Sequence, residues 1–151
     1  MIELLAPRDS EKIMDFLDST SRENILAFKN VRMLREMIFS SQLVAVGDVD
    51  QKGNILRLFA VQSPLNVPWL LYLTIVYMSV DDDDEFVREA INILKDVFSG
   101  KYAKIKAFIN RNKKDENNDE RTISMLERLG FVMEADLKND SVHLSVYSFF
   151  Y

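Results

Sequence analysis

The stretch Trp69-Leu70-Leu71-Tyr72-Leu73-Thr74-Ile75-Val76-Tyr77-Met78-Ser79-Val80 runs directly into Asp81-Asp82-Asp83-Asp84-Glu85, and a segment of helical period then reaches Gly100. The first part is apolar, β-branched and aromatic, the composition of a long strand buried on both faces. In the last part Phe86, Val87, Ala90, Ile91, Leu94, Val97 and Phe98 recur at intervals of three and four. They form one apolar helix stripe that packs on a sheet, with Gly100 as its stop. A strand end feeding a helix N-terminus gathers free N–H groups and the positive end of the helix dipole, which together favour a phosphate. Here five carboxylates, Asp81 to Glu85, fill that place. The functional reading turns on that conflict.

Upstream, Ile2 to Leu5 reads as a first strand ended by Pro7, and Asp9 or Ser10 caps a short helix with Ile13, Phe16 and Leu17 inward. Thr20 and Glu23 have capping-box spacing, which predicts a second, longer helix through Ile25, Leu26, Phe28, Met33, Leu34, Met37 and Ile38. Its broad Met-containing face is core or an adaptable groove. Leu43 to Val49 and Ile55 to Gln62 are strands joined by the hairpin signal Asp50-Gln51-Lys52-Gly53. Ser63 to Pro68 links them to the central strand. Downstream, Ala103 to Ile109 is a further strand, and Asn110 to Asn118 a polar loop with Arg111, Lys113 and Lys114. Asn117, Asn118 or Asp119 caps a helix carrying Ile123, Leu126 and Leu129, which Gly130 ends in the left-handed position. Val132 to Lys138 and Val142 to Tyr151 form a closing hairpin around Asn139-Asp140. The order β-α-α-β-β-β-α-β-α-β-β predicts an α/β (α+β) protein with a mixed, mostly antiparallel sheet of about seven strands flanked by helices.

The chain has 151 residues, 48% of them apolar and 28% charged, with net charge −5. That predicts one domain over residues 1–151 with a core of its own. The mild acidity gives no electrostatic case for nucleic acid or anionic lipid. Cysteine is absent, which removes disulfides, thiolate catalysis and thiolate metal sites, and the lone His143 argues against a His-based metal site or triad. Neither a secretory leader nor a membrane span is legible, so the expected location is cytoplasmic, with no membrane partner.

The element order, together with Ser124-Met125-Leu126-Glu127-Arg128-Leu129-Gly130-Phe131 and Glu89-Ala90 in the central helix, resembles the GNAT superfamily of acetyl-CoA-dependent N-acetyltransferases. The resemblance implies a GNAT-like domain over the whole chain, with acetyl-CoA or another acyl-CoA as cofactor. It also implies an N-acetyltransferase that moves the acyl group to a small-molecule or peptide amine by direct attack. In such enzymes the central strand splays from the next one, here Ala103 to Ile109, and the pantetheine enters the gap. By resemblance the backbones of Ile75 and Tyr77 meet the pantetheine and the acyl group, and a strand N–H or nearby hydroxyl holds the oxyanion.

The departures from the family are specific. Its pyrophosphate loop, Gln/Arg-x-x-Gly-x-Gly/Ala, falls on Asp82-Asp83-Asp84-Glu85-Phe86-Val87 and has none of its characteristic residues here. A carboxylate about 6 Å from a phosphate charge costs roughly 3 kcal/mol at an effective dielectric near 20. The helix terminus returns only about 0.3–1 kcal/mol, or about 2 when partly buried. Arg111, Lys113 and Lys114 are the cations expected to intervene. The family's Asn-x-x-Ser falls on Asp119 and Thr122, and the Tyr that many members use as general acid falls on Leu126.

Other readings of the residues stand beside this one. Asp81 to Glu85 also reads as a solvated helix-stabilising turn, as a site for a basic partner, or as an oxygen-rich cation cluster, although it lacks the glycine turn and alternation of an EF-hand. Glu3, Glu134 and Asp136 are candidate general bases, but no catalytic residue is assigned and no metal site is expected. The aromatic tail Tyr147, Phe149, Phe150 and Tyr151 finishes the core or contributes to a homodimer contact. The second functional expectation is a catalytically inactive GNAT-fold binding module for a basic peptide, protein or small ligand.

Overall fold

The computed structural model describes residues 1–20, 24–27, 29–63, 72–80, 83–98, 104–111 and 116–150, with the side chains of 116–119 excepted. Strand β1 (Ile2–Leu4) is followed by a 3-10 turn (Pro7–Asp9) and helix α1 (Ser10–Ser19). Helix α2 (Val31–Phe39) leads into β2 (Leu43–Val49), β3 (Ile55–Gln62) and β4 (Tyr72–Met78). Helix α3 (Glu85–Val97), β5 (Lys104–Asn110), α4 (Glu116–Arg128), β6 (Val132–Lys138) and β7 (His143–Phe150) complete the chain. The expected α/β architecture and element order are the observed ones.

Most elements form for the reasons their residues suggest. The β2–β3 hairpin closes through Asp50, whose Oδ1 accepts from the backbone N–H groups of Lys52 and Asn54, each at 2.9 Å. Gly53, at φ +85°, supplies the backbone conformation that this turn requires. Helix α4 ends as Gly130 predicts: its φ is +99°, and Phe131 N–H donates to Leu126 O at 2.9 Å. That is a Schellman closure.

Several elements differ from expectation. The second helix does not start at Thr20: α2 begins at Val31, capped by Asn30, whose Oδ1 accepts from Met33 N–H at 2.9 Å. Ile25 and Leu26 are instead extended and buried against the sheet, because tertiary burial of two apolar side chains outweighs local helix propensity. Helix α4 starts at Glu116, so Asn117 to Asp119 lie inside it rather than capping it. The central strand is described from Tyr72 to Met78, so Ser79 and Val80 are outside it, and Trp69 to Leu71 lie outside the described residues, as do Glu23, Phe28 and Gly100. Val97 is exposed at the last turn of α3 rather than inward.

The sheet runs β1-β2-β3-β4-β5-β7-β6, antiparallel except for the parallel β4–β5 pair. Helices α3 and α4 cover one face through Phe86, Val87, Ala90, Ile91, Leu94, Met125, Leu126 and Leu129, packed on Leu73, Ile75, Ile105, Ala107 and Ile109. Helices α1 and α2 cover the other face only over β2, β3 and β4, where Ile13, Leu17, Leu34 and Met37 meet Ala45, Leu58, Ala60, Val76 and Tyr77. Strand β4 thus feeds both cores.

Candidate functional site: a split between two parallel strands

Parallel strands β4 and β5 pair only at Tyr72↔Lys104, Leu73↔Ile105 and Thr74↔Lys106. Beyond that rung the ladder ends, although β4 continues to Met78 and β5 to Asn110. The cause is visible in β4. Its register against β3 shifts between Ala60 and Val61, pairing Ala60 with Tyr77 and Val61 with Ile75 and leaving Val76 as an extra residue. A bulge bends its strand and ends pairing. Accordingly Ile75 faces the α3/α4 core, Val76 and Tyr77 both face the α1/α2 core, and Met78 returns to the first.

The far end of the split is occupied by the chain itself. Leu26 N–H donates to Val76 O at 2.9 Å, Ala27 N–H donates to Phe108 O at 3.4 Å, and Ile25 bridges Tyr77 in antiparallel sense. Ile25 and Leu26 are 4% and 5% exposed and enter opposite cores, so this segment behaves as a very short inserted strand. Ala27 carries φ +59°, an uncommon conformation for a side chain other than glycine. Between the last β4–β5 rung and this insertion one position, Ile75 opposite Ala107, lies outside both ladders and makes the window of the split; both side chains are fully buried. Tyr77 is fixed from the α1 side: its hydroxyl lies 2.6 Å from Thr20 Oγ1, accepts from Asn24 Nδ2 at 3.5 Å, and its ring meets Phe16 edge-on at 5.7 Å.

The acidic turn sits at the start of α3. Asp83 Oδ1 accepts from Glu85 N–H at 2.9 Å, so a carboxylate already uses one of the free amides at that terminus. Asp84 Oδ2 is 3.5 Å from Arg88 Nη2 and 3.7 Å from Arg128 Nε, joining the first turn of α3 to the last turn of α4. Among the described residues the intervening cations are therefore Arg88 and Arg128. Arg111 is placed elsewhere: its amide donates to His143 O at 2.8 Å and its charge acts on Asp136, while Lys113 and Lys114 lie outside the described residues. Arg88, Ile91, Asn92, Leu129 and Phe149 line a depression of about 230 Å³ beside this cluster.

The remaining candidates separate clearly. Phe86 and Val87 are buried in the core, so only their backbones are available to a ligand. Glu85 is exposed, Thr122 is buried on α4, and Asp82 and the Asp119 side chain lie outside the described residues. Glu3, on β1, is three strands from β4, about 14 Å at the usual strand spacing, which removes it as a base at the split. Asp136, on edge strand β6, accepts from Ser145 Oγ at 2.8 Å and lies 2.8 Å from His143 Nε2. The Ser145 hydroxyl first, then His143, hold its carboxyl below the usual range. Glu134 receives Lys104 Nζ at 3.1 and 3.4 Å, with Lys106 Nζ at 3.6 Å. The Ser148 hydroxyl, ahead of Lys104, lowers its pKa. Among the described residues no three His, Cys, Asp or Glu side chains converge as a metal-binding group, and no helix is long and apolar enough to cross a membrane.

Sequence reasoning did not single out Thr20, Asn24, Lys104, Lys106, Arg88 or Arg128 as functional. Arg88 carried a local signal, being four residues beyond Asp84 on one helix. The others are joined only by tertiary contact.

The chain's sequence matches no protein-family profile and no curated protein sequence. Its structure does match known ones. The crystal structure of smu.2055 from Streptococcus mutans UA159 is 17% identical, with 99% of this chain and 98% of that one covered and a TM-score of 0.66. A GNAT-family chain from Desulfovibrio desulfuricans is 14% identical over 99% of both chains, with a TM-score of 0.64. The spermidine N-acetyltransferase SpeG from Vibrio cholerae, as its F149G mutant, is 16% identical over 99% of this chain and 92% of that one, with a TM-score of 0.61. At such identities the likeness establishes the fold, and the chain has the GNAT acetyltransferase fold.

Proposed function

We propose, starting from a chain with the GNAT fold, that this protein is an acyl-CoA-dependent N-acyltransferase acting on a primary amine. The observation that carries the reading is the β4–β5 ladder, which stops at Thr74↔Lys106 beside the bulge at Val76. A split of that kind offers unpaired backbone groups to an amide-bearing arm, and the Ile75 backbone stands at its foot.

The residues present fit the cofactor in an altered way. Ile75, with Tyr77 beyond it, would meet the pantetheine arm by backbone. Arg88 and Arg128 would take the phosphates that a glycine loop and free amides take elsewhere. The start of α3, with the Asp83, Asp84, Glu85, Phe86 and Val87 backbones, would flank them, and Asp119 and Thr122 would approach from α4. Acyl-CoA, when bound, supplies an activated thioester. The chain's part is to hold the acyl carbon at the window and exclude water with Ile25 and Leu26. The β4 amides at the bulge would donate to the carbonyl oxygen. Transfer would form the C–N bond as the C–S bond breaks, with the proton lost by the amine passing to the departing sulfur, so that CoA leaves as the thiol.

One observation favours the second reading, a GNAT-fold module that binds a basic peptide, protein or small ligand without chemistry. Val76 O is already satisfied by Leu26 N–H, and Glu85 N–H by Asp83. The deciding experiment is a thermal-shift or calorimetric titration with acetyl-CoA and desulfo-CoA. A ligand at 100 times its Kd stabilises by about 2.7 kcal/mol. For a chain of this size that is a rise of about 5–10 °C in Tm. No shift at millimolar cofactor rejects the transferase reading and leaves the binding module.

A further inference from the structure

The sheet face opposite α3 and α4 is covered by α1 and α2 only as far as β4, so among the described residues no helix packs over β5, β7 and β6 on that side. Strand alternation places Lys104 and Lys106 there, since Ile105, Ala107 and Ile109 point into the α3/α4 core. Lys106 belongs to the last rung below the window, one residue from it. Its side chain is 17% exposed, that of Lys104 23%, and that of Glu134 27%.

These three half-buried groups carry two positive charges and one negative. Lys104 takes the hydrogen bonds to Glu134, whereas Lys106 Nζ stays 3.6 Å from that carboxylate and 4.7 Å from the Tyr72 ring centroid. Next to it across β7, Ser148 is fully buried and its Oγ makes no hydrogen bond of good geometry. Among the described residues, an ammonium held only by a 3.6 Å ion pair and a ring, and a buried hydroxyl that acts on Glu134 without a well-directed bond, therefore sit together at the rim of the window. A half-buried surplus charge of this kind is matched most favourably by an anion.

We infer that Lys106, with Lys104, is a specificity-determining pair that selects an acceptor amine carrying an anionic group, a carboxylate or a phosphate, over a polycationic amine. This rests on the transferase reading. If the phosphate end of the cofactor lies at the start of α3, the arm enters from the α3/α4 face and the acceptor approaches from the lysine face. The acceptor's anion would then rest on Lys106 and Ser148 with its amine at the window, a separation of a few bonds.

The test has two arms. In the first, CoA release from acetyl-CoA is followed with β-alanine, 4-aminobutanoate, O-phosphoethanolamine, n-butylamine and spermidine. The anionic amines are expected to exceed n-butylamine in kcat/KM by about tenfold, between the scales of exposed and buried ion pairs. Lys106→Gln should bring that ratio to within about threefold by lowering kcat/KM for the anionic amines, and the carboxylate and phosphate probes separate the two anion types. Preference for spermidine, or a ratio that survives both Lys106→Gln and Lys104→Gln, overturns the inference. In the second arm, glutarate and inorganic phosphate are titrated without acetyl-CoA against protein with isotopically methyl-labelled lysines, the two resonances being assigned from the Gln variants. Saturable shifts at Lys106 support the anion site even where no transfer occurs, in which case the transferase reading alone fails. Silent Lys104 and Lys106 resonances overturn the site.

Discussion

Removing the Leu26 side chain tests whether the inserted segment yields to a ligand or walls the site. Withdrawing residues 25–27 from the split would break two backbone hydrogen bonds, each worth about 0.5–1.5 kcal/mol net. It would also expose two side chains that are 4% and 5% exposed, each worth about 1.5–3 kcal/mol. The sum, about 4–9 kcal/mol, rivals the roughly 8 kcal/mol of a micromolar complex. A ligand that had to expel the segment would bind weakly, so the segment is expected to stay. Leu26→Ala should then lower stability by about 2–5 kcal/mol, read as the midpoint of urea unfolding. Acetyl-CoA affinity by calorimetry below the transition should stay within about threefold. If expulsion were required, the variant would have lost part of the barrier and would bind about tenfold more tightly for each 1.4 kcal/mol removed. A tighter Kd in Leu26→Ala would refute the reasoning.

Neutralising Asp84 should release Arg88 and Arg128 toward phosphate. Asp84→Asn is expected to tighten acetyl-CoA binding by about three- to tenfold at low salt, an advantage that shrinks in 0.5 M NaCl, whereas Arg128→Gln weakens it. Burial raises the Asp48 pKa, but Arg57, whose Nη2 is 2.8 Å from Asp48 Oδ2, and the N-terminal amine outweigh it and hold the carboxyl below its ordinary value. A depressed folded pKa gives stability that is present above the unfolded value of about 3.9 and lost as pH falls through the folded one. Denaturant unfolding between pH 6 and pH 2 should show that loss, and Asp48→Asn should flatten it while lowering stability at pH 6. Asn30→Ala removes the α2 cap and should cost about 1 kcal/mol in the same assay. An unchanged midpoint would mean that the cap contributes nothing net.

Much of the architecture was legible because local signals and long-range packing agree. Leu43–Val49 and Ile55–Gln62 are the observed strands to the residue, since alternation, Asp50 and Gly53 point the same way. The region from Thr20 to Asn30 misled for a physical reason. Its capping-box spacing and apolar residues suit a helix, but Ile25 and Leu26 gain more by entering the split, and Asn30 offers a later cap with its side-chain bond made. No local pattern could announce the Val76 bulge, which exists only relative to β3. The candidate site was legible as a place, at the junction of β4, β5 and α3, and not as a set of partners. Among the described residues the cations at the acidic turn come from α3 and α4, because Arg128 is brought there by helix packing across forty residues.

The extra residue in β4 has a consequence for how this chain tolerates change. Upstream of Val76 the strand's odd-numbered side chains, Leu73 and Ile75, belong to the α3/α4 layer; beyond it the parity reverses, and Tyr77 belongs to the α1/α2 layer while Met78 takes the former place. Deleting that single position would restore strict alternation, with Tyr77 still on the Thr20 side, but would remove the bulge beside which the β4–β5 ladder ends. Length at this point is therefore constrained more tightly than identity: Val76 can be exchanged for another β-branched residue, but not omitted.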